Sequence, residues 1–356
     1  MASRFRMPAE WEPHRATWIA WPHHEPDWPG KLGPIPWVYA EIARVLAAHE
    51  PVEILCHSEG VAADARTVLE AHAVPAGAVP AGGVRLHVVP TDRVWLRDSA
   101  PTGVLDEAGR LTWLNWAFNG WAKYDNYHLD AKVGAAVAQV TGAPRVEPPR
   151  ADGAGRVVLE GGGIEVNGAG TVLVTEEWLL GDVQVRNPGL GRADYERLFA
   201  EWLGAERTIW LGEGCVGDDT HGHIADVARF VAPDLVVLAH EADPSDENHR
   251  RSLDNLRRLE LAAQAPGHTP LRVATLPFPR PVIMNGERLP ASYANFYLAN
   301  GVMVVPTFND PNDRVALNTL ASLMPDRQVV GIHAVDLVWG LGTLHCLTQQ
   351  EPAARG

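Results

Sequence analysis

The chain has 356 residues, 46% of them hydrophobic and 21% charged, which argues against disorder and leaves ample material for a core. A formal net charge of -14 with no cluster of Lys and Arg argues against a nucleic-acid binder and suits a small cationic partner. The N-terminal stretch MASRFRMPAEWEPHR lacks the apolar core of a signal peptide, and no run approaches the roughly eighteen apolar residues of a membrane span, so a cytoplasmic protein is expected.

In chain order, apolar periodicity predicts a helix over residues 36–50, PWVYAEIARVLAAHE, with Val38, Ile42, Val45 and Leu46 on one face. Strands are expected over 52–56 (VEILC), 84–90 (VRLHVVP) and 156–160 (RVVLE), followed by a hairpin over 164–177 whose turn chemistry comes from Asn167 and Gly168. A helix over 192–204 (RADYERLFAEWLG), strands over 208–212 and 235–241, a charged helix over 247–264 and a strand over 328–334 continue the alternation. No linker interrupts it. One α/β domain over residues 1–356 is therefore expected, with room for about five units of roughly 70 residues, although no internal sequence repeat is visible.

Three cysteines, Cys56, Cys215 and Cys346, are too few for a disulfide framework and lack the paired spacing of a structural zinc site. The stretch Gly212 to Phe230, GEGCVGDDTHGHIADVARF, offers two false leads. Its GEGCVG follows a strand as a dinucleotide fingerprint would, but the next residues, DDTHG, place two carboxylates where a pyrophosphate should sit. Cys215, His221 and His223 could suggest a metal, yet two histidines two residues apart do not match helical zinc motifs; no metal and no cofactor are expected.

Polar residues concentrate where apolar runs end, in VWLRDSAPTG (94–103), VVLEGGGIEVNG (157–168), the DDTHGHIAD loop and WGLGTLHCLTQQEP (339–352). Each has an ordinary structural explanation by itself: a buried small Cys, an Arg97–Asp98 ion pair, a Glu that ends a strand. Together, a thiol, a histidine and carboxylates are the components of a cysteine-nucleophile enzyme, because a thiol needs a basic or cationic neighbour to become a thiolate.

These stretches, with EWEPHRATWIAWP near the start and RLPASYANFYLANGVMVVPTFNDPND, resemble in sequence order the agmatine deiminase family of the guanidine-modifying superfamily, which also contains the bacterial peptidylarginine deiminases. The resemblance implies a five-bladed α/β propeller (a pentein) with pseudo-fivefold symmetry, and cofactor-free hydrolysis of a guanidinium to a ureido group with release of ammonia. It implies Cys346 as nucleophile, His223 as general acid/base, Glu160 as the carboxylate that charges that histidine, and Asp98 as a grip on the guanidinium. Trp95 and Asp219 match positions along the substrate's alkyl chain and facing its far amine. The family also suggests a homo-oligomer.

One position departs from the pattern. The family carries a second guanidinium-binding aspartate two residues after the histidine; here that position is Ala225, while Arg229 keeps the register. Read as an extended segment, the chain would turn neighbouring Asp226 to the opposite face. Losing one partner of a desolvated charge pair costs roughly 3 to 5 kcal/mol, or about two to four orders of magnitude in rate if the transition state bears it, so a crippled deiminase is expected. Asp218 and Asp219, with an aromatic floor from Trp95 and Trp121, suit agmatine as a dication on an apolar tether; Trp121 fits core packing equally well. A peptidylarginine deiminase and a non-catalytic guanidine-binding protein remain as alternatives.

Overall fold

The computed structural model of the protein describes residues 4–74, 83–267 and 270–354; Met1–Ser3 of the N-terminal stretch lie outside them. Among the described residues, five sheets are built alike, beside one short ribbon of Ile283–Met284 and Glu287–Arg288. In each, two strands pair antiparallel and a third, reached through a helix, adds in parallel. Thr102–Asp106 and Leu111–Leu114 are joined by Arg145–Val146 through the helix Val133–Thr141. Glu165–Val166 and Thr171–Thr175 take Arg207–Leu211 through Arg192–Leu203. Ala228–Ala232 and Leu235–His240 take Arg272–Pro277 through Glu247–Ala263. Tyr297–Ala299 and Val302–Thr307 take Gln328–His333 through Pro311–Leu323.

The fifth sheet joins the two ends of the chain. Gln349–Pro352 pairs antiparallel with His14–Ala20, which is followed in parallel by Val52–Cys56 and Val84–Val88. A parallel neighbour cannot be reached by a tight turn, so each unit requires a crossover, and an amphipathic helix supplies it while burying its apolar stripe. On Ile35–Ala47 that stripe holds Ile42, Val45 and Leu46 in the core, with Val38 half-buried against it. Arg192–Leu203 stops where Gly204 adopts a left-handed φ of 68°, which glycine accepts without a Cβ penalty.

Two sequence expectations require correction. Residues 156–160 form no strand; they make only the isolated bridges Ala117 to Val158 and Pro149 to Arg156. The Asn187 side chain takes both backbone groups of Val158, accepting from its N–H at 2.9 Å and donating to its carbonyl at 2.8 Å, so no ladder partner is needed. At the end of the 164–177 hairpin, Glu176–Leu180 is helical, because the Thr175 hydroxyl accepts from Trp178 N–H as an N-cap.

A buried ionic cluster centred on Glu10 joins residues from several of these units. Its carboxylate accepts from Arg229 at 2.7 Å, His345 Nε2 at 2.9 Å, Leu298 N–H at 2.9 Å and Arg97 at 3.1 Å. Arg229 in turn binds Glu165 at 2.7 Å. Burial would raise the Glu10 pKa, but Arg229, His345 and Arg97 outweigh it and hold the carboxyl well below the usual range. Its stabilising contribution is thus present above the pKa of an unfolded glutamate and is lost as pH falls toward the depressed native value.

Replacing Glu10 with Ala leaves two buried guanidinium groups without a shared counter-charge. We expect Glu10→Ala to lower the unfolding free energy in urea by roughly 3 to 5 kcal/mol; a loss below about 1 kcal/mol, the scale of a surface pair, would contradict a structural role for this cluster.

Candidate active site

The first strand of each antiparallel pair is entered through a short turn, and the polar side chains singled out above sit on these turns. Asp98 lies on Leu96–Ser99, Glu160 caps Gly161–Gly163, His223 caps Ile224–Asp226, and Cys346 lies on Leu344–Leu347. Leu96–Ser99 packs against both Leu344–Leu347 and Gly161–Gly163, and Gly161–Gly163 packs against Ile224–Asp226. The remaining sheet contributes Asn295, just before Tyr297–Ala299. Its amide donates to Asp226 Oδ1 at 2.9 Å and to Cys346 Sγ at 3.1 Å, so the five turns touch in a closed cycle.

Asn295 also fixes the shape of the cysteine turn. Its carbonyl oxygen accepts from Thr343 Oγ1 at 2.7 Å and from His345 N–H at 2.9 Å. Sequence reading missed Asn295, since nothing in PASYANF marks an amide as more than polar. His345 is no substitute for His223: burial, then Arg229 and Arg97, push its pKa well down, so it stays neutral with Nε2 donating to Glu10.

His223 is 1% exposed, with Nδ1 3.8 Å from Asp98 Oδ1 and Nε2 3.6 Å from Glu160 Oε2. Burial would lower its pKa, but Asp98 and Glu160 outweigh burial and raise it. Glu160 is itself anchored. Its oxygens accept from Arg186 Nε at 3.0 Å and Trp178 Nε1 at 2.8 Å. Burial would raise this carboxyl, yet Arg186 and then His223 hold it down to about 2. Arg186 and Trp178 were also missed by sequence reading, because they lie 26 and 18 residues from the glutamate they serve.

Asp98 Oδ2 accepts from Trp121 Nε1 at 2.9 Å and Oδ1 from Gly162 N–H at 3.0 Å. A Cβ on Gly162 would lie 2.6 Å from His223 Nδ1 and 2.8 Å from Asp98 Oδ1, so only glycine lets these two groups approach across the turn. Burial pushes the Asp98 carboxyl up. Cys346, 7% exposed, is likewise pushed well above an ordinary thiol, first by burial and then by Asp226 and Asp98. The free site therefore holds a thiol and an excess of carboxylates, an arrangement that a bound cation would relieve.

A pocket opens over Cys346 and Asp98, walled by Trp95, Trp121 and Tyr124, with Asp219 toward its outer end. Trp121 is both buried and a pocket wall, and it takes a left-handed φ of 59° that is costly for a bulky side chain but aims its indole N–H at Asp98. Asp218, expected beside Asp219 on the substrate, turns inward instead. It accepts from Thr220, Gly222 and His223 N–H groups and thereby shapes the loop that presents His223. The His221 ring lies near Glu177 at 3.8 Å while His223 faces Glu160, and among the described residues no group of three or more His, Cys, Asp or Glu side chains could hold a metal ion.

The surroundings of Ala225 also differ from the sequence reading. Ile224–Asp226 is a 3-10 turn, not an extended segment, so strict alternation of faces does not govern it. Ala225 is fully buried, and Asp226 is buried with its carboxylate on the Asn295 amide. Burial, followed by Asp218, pushes Asp226 up to about 8.

Fold and site together define an α/β protein with a buried cysteine, histidine and carboxylate cluster at the meeting point of five like units. The chain belongs to the Porphyromonas-type peptidyl-arginine deiminase family, whose model matches residues 6–352. It is 34% identical to the agmatine deiminase of Pseudomonas aeruginosa strain LESB58 over 99% of this chain and 97% of that one. It is also 34% identical to the agmatine deiminase of Ectopseudomonas mendocina, over 100% and 97%. The solved agmatine deiminase of Enterococcus faecalis superposes with a TM-score of 0.88 at 28% identity, covering 98% of this chain and 96% of that one. No helix among the described residues is long and apolar enough to cross a membrane.

The two carboxylates beside His223 can be tested separately. In Glu160→Gln one of the charges that raise the imidazole is removed, and NMR titration of the His223 ring is expected to show a pKa lower by about one unit or more. An unchanged titration would mean that Glu160 does not act on this histidine.

Proposed function

We propose that this chain hydrolyses agmatine to N-carbamoylputrescine and ammonia through a covalent intermediate on Cys346. The observation that carries the reading is a buried thiol and the Asp98 carboxylate on one aromatic-walled pocket, with an imidazole of raised pKa 3.8 Å from that carboxylate. A guanidinium is a planar fork of N–H donors, and a carboxylate is its natural partner. Asp98 grips it, Trp95 and Trp121 flank the alkyl chain, and Asp219 faces the distal ammonium.

The positive charge that enters reverses the burial and carboxylate effects on Cys346, so as substrate binds the thiol releases its proton to solvent and the thiolate forms. Sulfur attacks the guanidinium carbon, His223 donates a proton to the departing nitrogen, and ammonia leaves an S-alkylthiouronium. The same histidine then takes a proton from water as it attacks that carbon. The C–S bond breaks, the ureido product leaves and the thiol is restored. Asn295, donating to Sγ at 3.1 Å, steadies the sulfur's charge in both steps.

The cycle of five turns and the five like sheets support a five-bladed propeller with pseudo-fivefold symmetry, the chain acting as one domain with its site on the axis. A cytoplasmic homo-oligomer fits the same family reading. Two close relatives named agmatine deiminase favour agmatine over a peptidyl arginine as substrate.

Ala225 weakens this machinery. The position contributes no carboxylate, and Asp226 is held on Asn295 and does not line the pocket. Ala225→Asp is expected to raise ammonia release from agmatine by about two orders of magnitude or more, the scale of one desolvated charge contact. An unchanged rate would mean that position 225 does not limit the reaction, and turnover of a blocked arginine peptide in preference to agmatine would overturn the substrate.

A further inference from the structure

One carboxylate that lines the pocket, Asp219, is already paired with a cation. Lys123 Nζ donates to Asp219 Oδ1 and Tyr124 OH donates to Oδ2 at 2.7 Å, so both oxygens of the carboxylate that lines the pocket are engaged. The Gln184 amide holds the backbone carbonyls of both Trp121 and Asp219 at 3.1 Å, fixing the two sides of this contact relative to each other. Lys123 follows directly on Gly120, Trp121 and Ala122, whose φ values of 62°, 59° and 54° make the left-handed turn that aims Trp121 at Asp98. The backbone that builds the guanidinium grip therefore also delivers the lysine to Asp219. Arg93 adds a second guanidinium over the Tyr124 ring at 4.2 Å, although Asp27 already binds it at 2.6 Å.

From this geometry we propose that Lys123 is a specificity-determining residue: its ammonium is an internal competitor for the subsite that takes the distal end of the substrate. The inference rests on the reading of the pocket as a guanidine site. A substrate with an ammonium tail must displace Lys123 from Asp219 and leave it in solvent, which its partly exposed side chain permits. A guanidine with a neutral tail leaves the Lys123–Asp219 pair intact. The pair thus lowers the preference for a dication below what an unopposed Asp219 would give, and it does so without touching the reacting carbon.

The test reads binding so that turnover does not enter. In a Cys346→Ser background, the affinities of agmatine and of 1-butylguanidine are measured by calorimetry with Lys123 present and with Lys123→Met, which retains the apolar stem. We expect the agmatine-to-butylguanidine affinity ratio to rise at least about threefold in Lys123→Met, the scale of one partly exposed ion pair, and the gain to shrink in high salt. A ratio that stays the same or falls overturns the inference. Ammonia release from agmatine by the Cys346 chain is measured alongside: its absence with a shifted ratio sinks the deimination reading and leaves the role of Lys123 standing, whereas a chain that binds neither guanidine overturns both.

Discussion

One buried carboxylate, Glu10, makes the convergence of the five units possible. Arg97 precedes Asp98, His345 precedes Cys346, Leu298 lies in the strand that Asn295 leads into, and Arg229 ends the loop that begins at His223; all four bind Glu10. Arg229 extends the cluster to Glu165, five residues after Glu160. The buried guanidinium groups of Arg97 and Arg229 would be very costly alone in the interior, so Glu10 cannot withdraw without stranding them. The N-terminal segment, which contributes nothing to the pocket lining, thereby ties together the turns that carry Asp98 and Cys346.

At the active site the electrostatics are unbalanced. Glu160 is ionised because Arg186 and His223 answer its burial, and the His223 pKa is raised because Asp98 and Glu160 answer its own. Asp98, Asp226 and the Cys346 thiol are left with pKa values pushed up, each by burial first and by neighbouring carboxylates after it. A planar cation in the pocket that Asp98 and Cys346 line would lower both of their values. On the proposed mechanism, binding and activation of the nucleophile would then be one event, consistent with a thiol buried this deeply.

Much of the scaffold was legible in the chain because its signals are local. Val52–Cys56 and Leu235–His240 are runs of β-branched and leucine residues, and Arg192–Leu203 stops at a glycine. The stretch RVVLE carries the same strand signal but is overridden by Asn187, some thirty residues away, whose side chain supplies the hydrogen bonds a neighbouring strand would have given. Polar stretches at the ends of apolar runs drew attention to Asp98, Glu160, His223 and Cys346, but only the family resemblance gave each of them a role. Asn295, Arg186 and Glu10 could not, since their importance lies in which distant group each touches. Asp218 and Asp219, adjacent and identical in the sequence, were separable only by the fold: one binds its own loop, the other lines the pocket.

The account turns on a carbon–sulfur bond at Cys346. Rapid acid quenching during reaction with agmatine, followed by peptide mass spectrometry, should find the peptide containing Cys346 heavier by the mass of agmatine less ammonia, with Cys56 and Cys215 unmodified. Continued ammonia release by a Cys346→Ser chain, with no adduct on the parent protein, would contradict it.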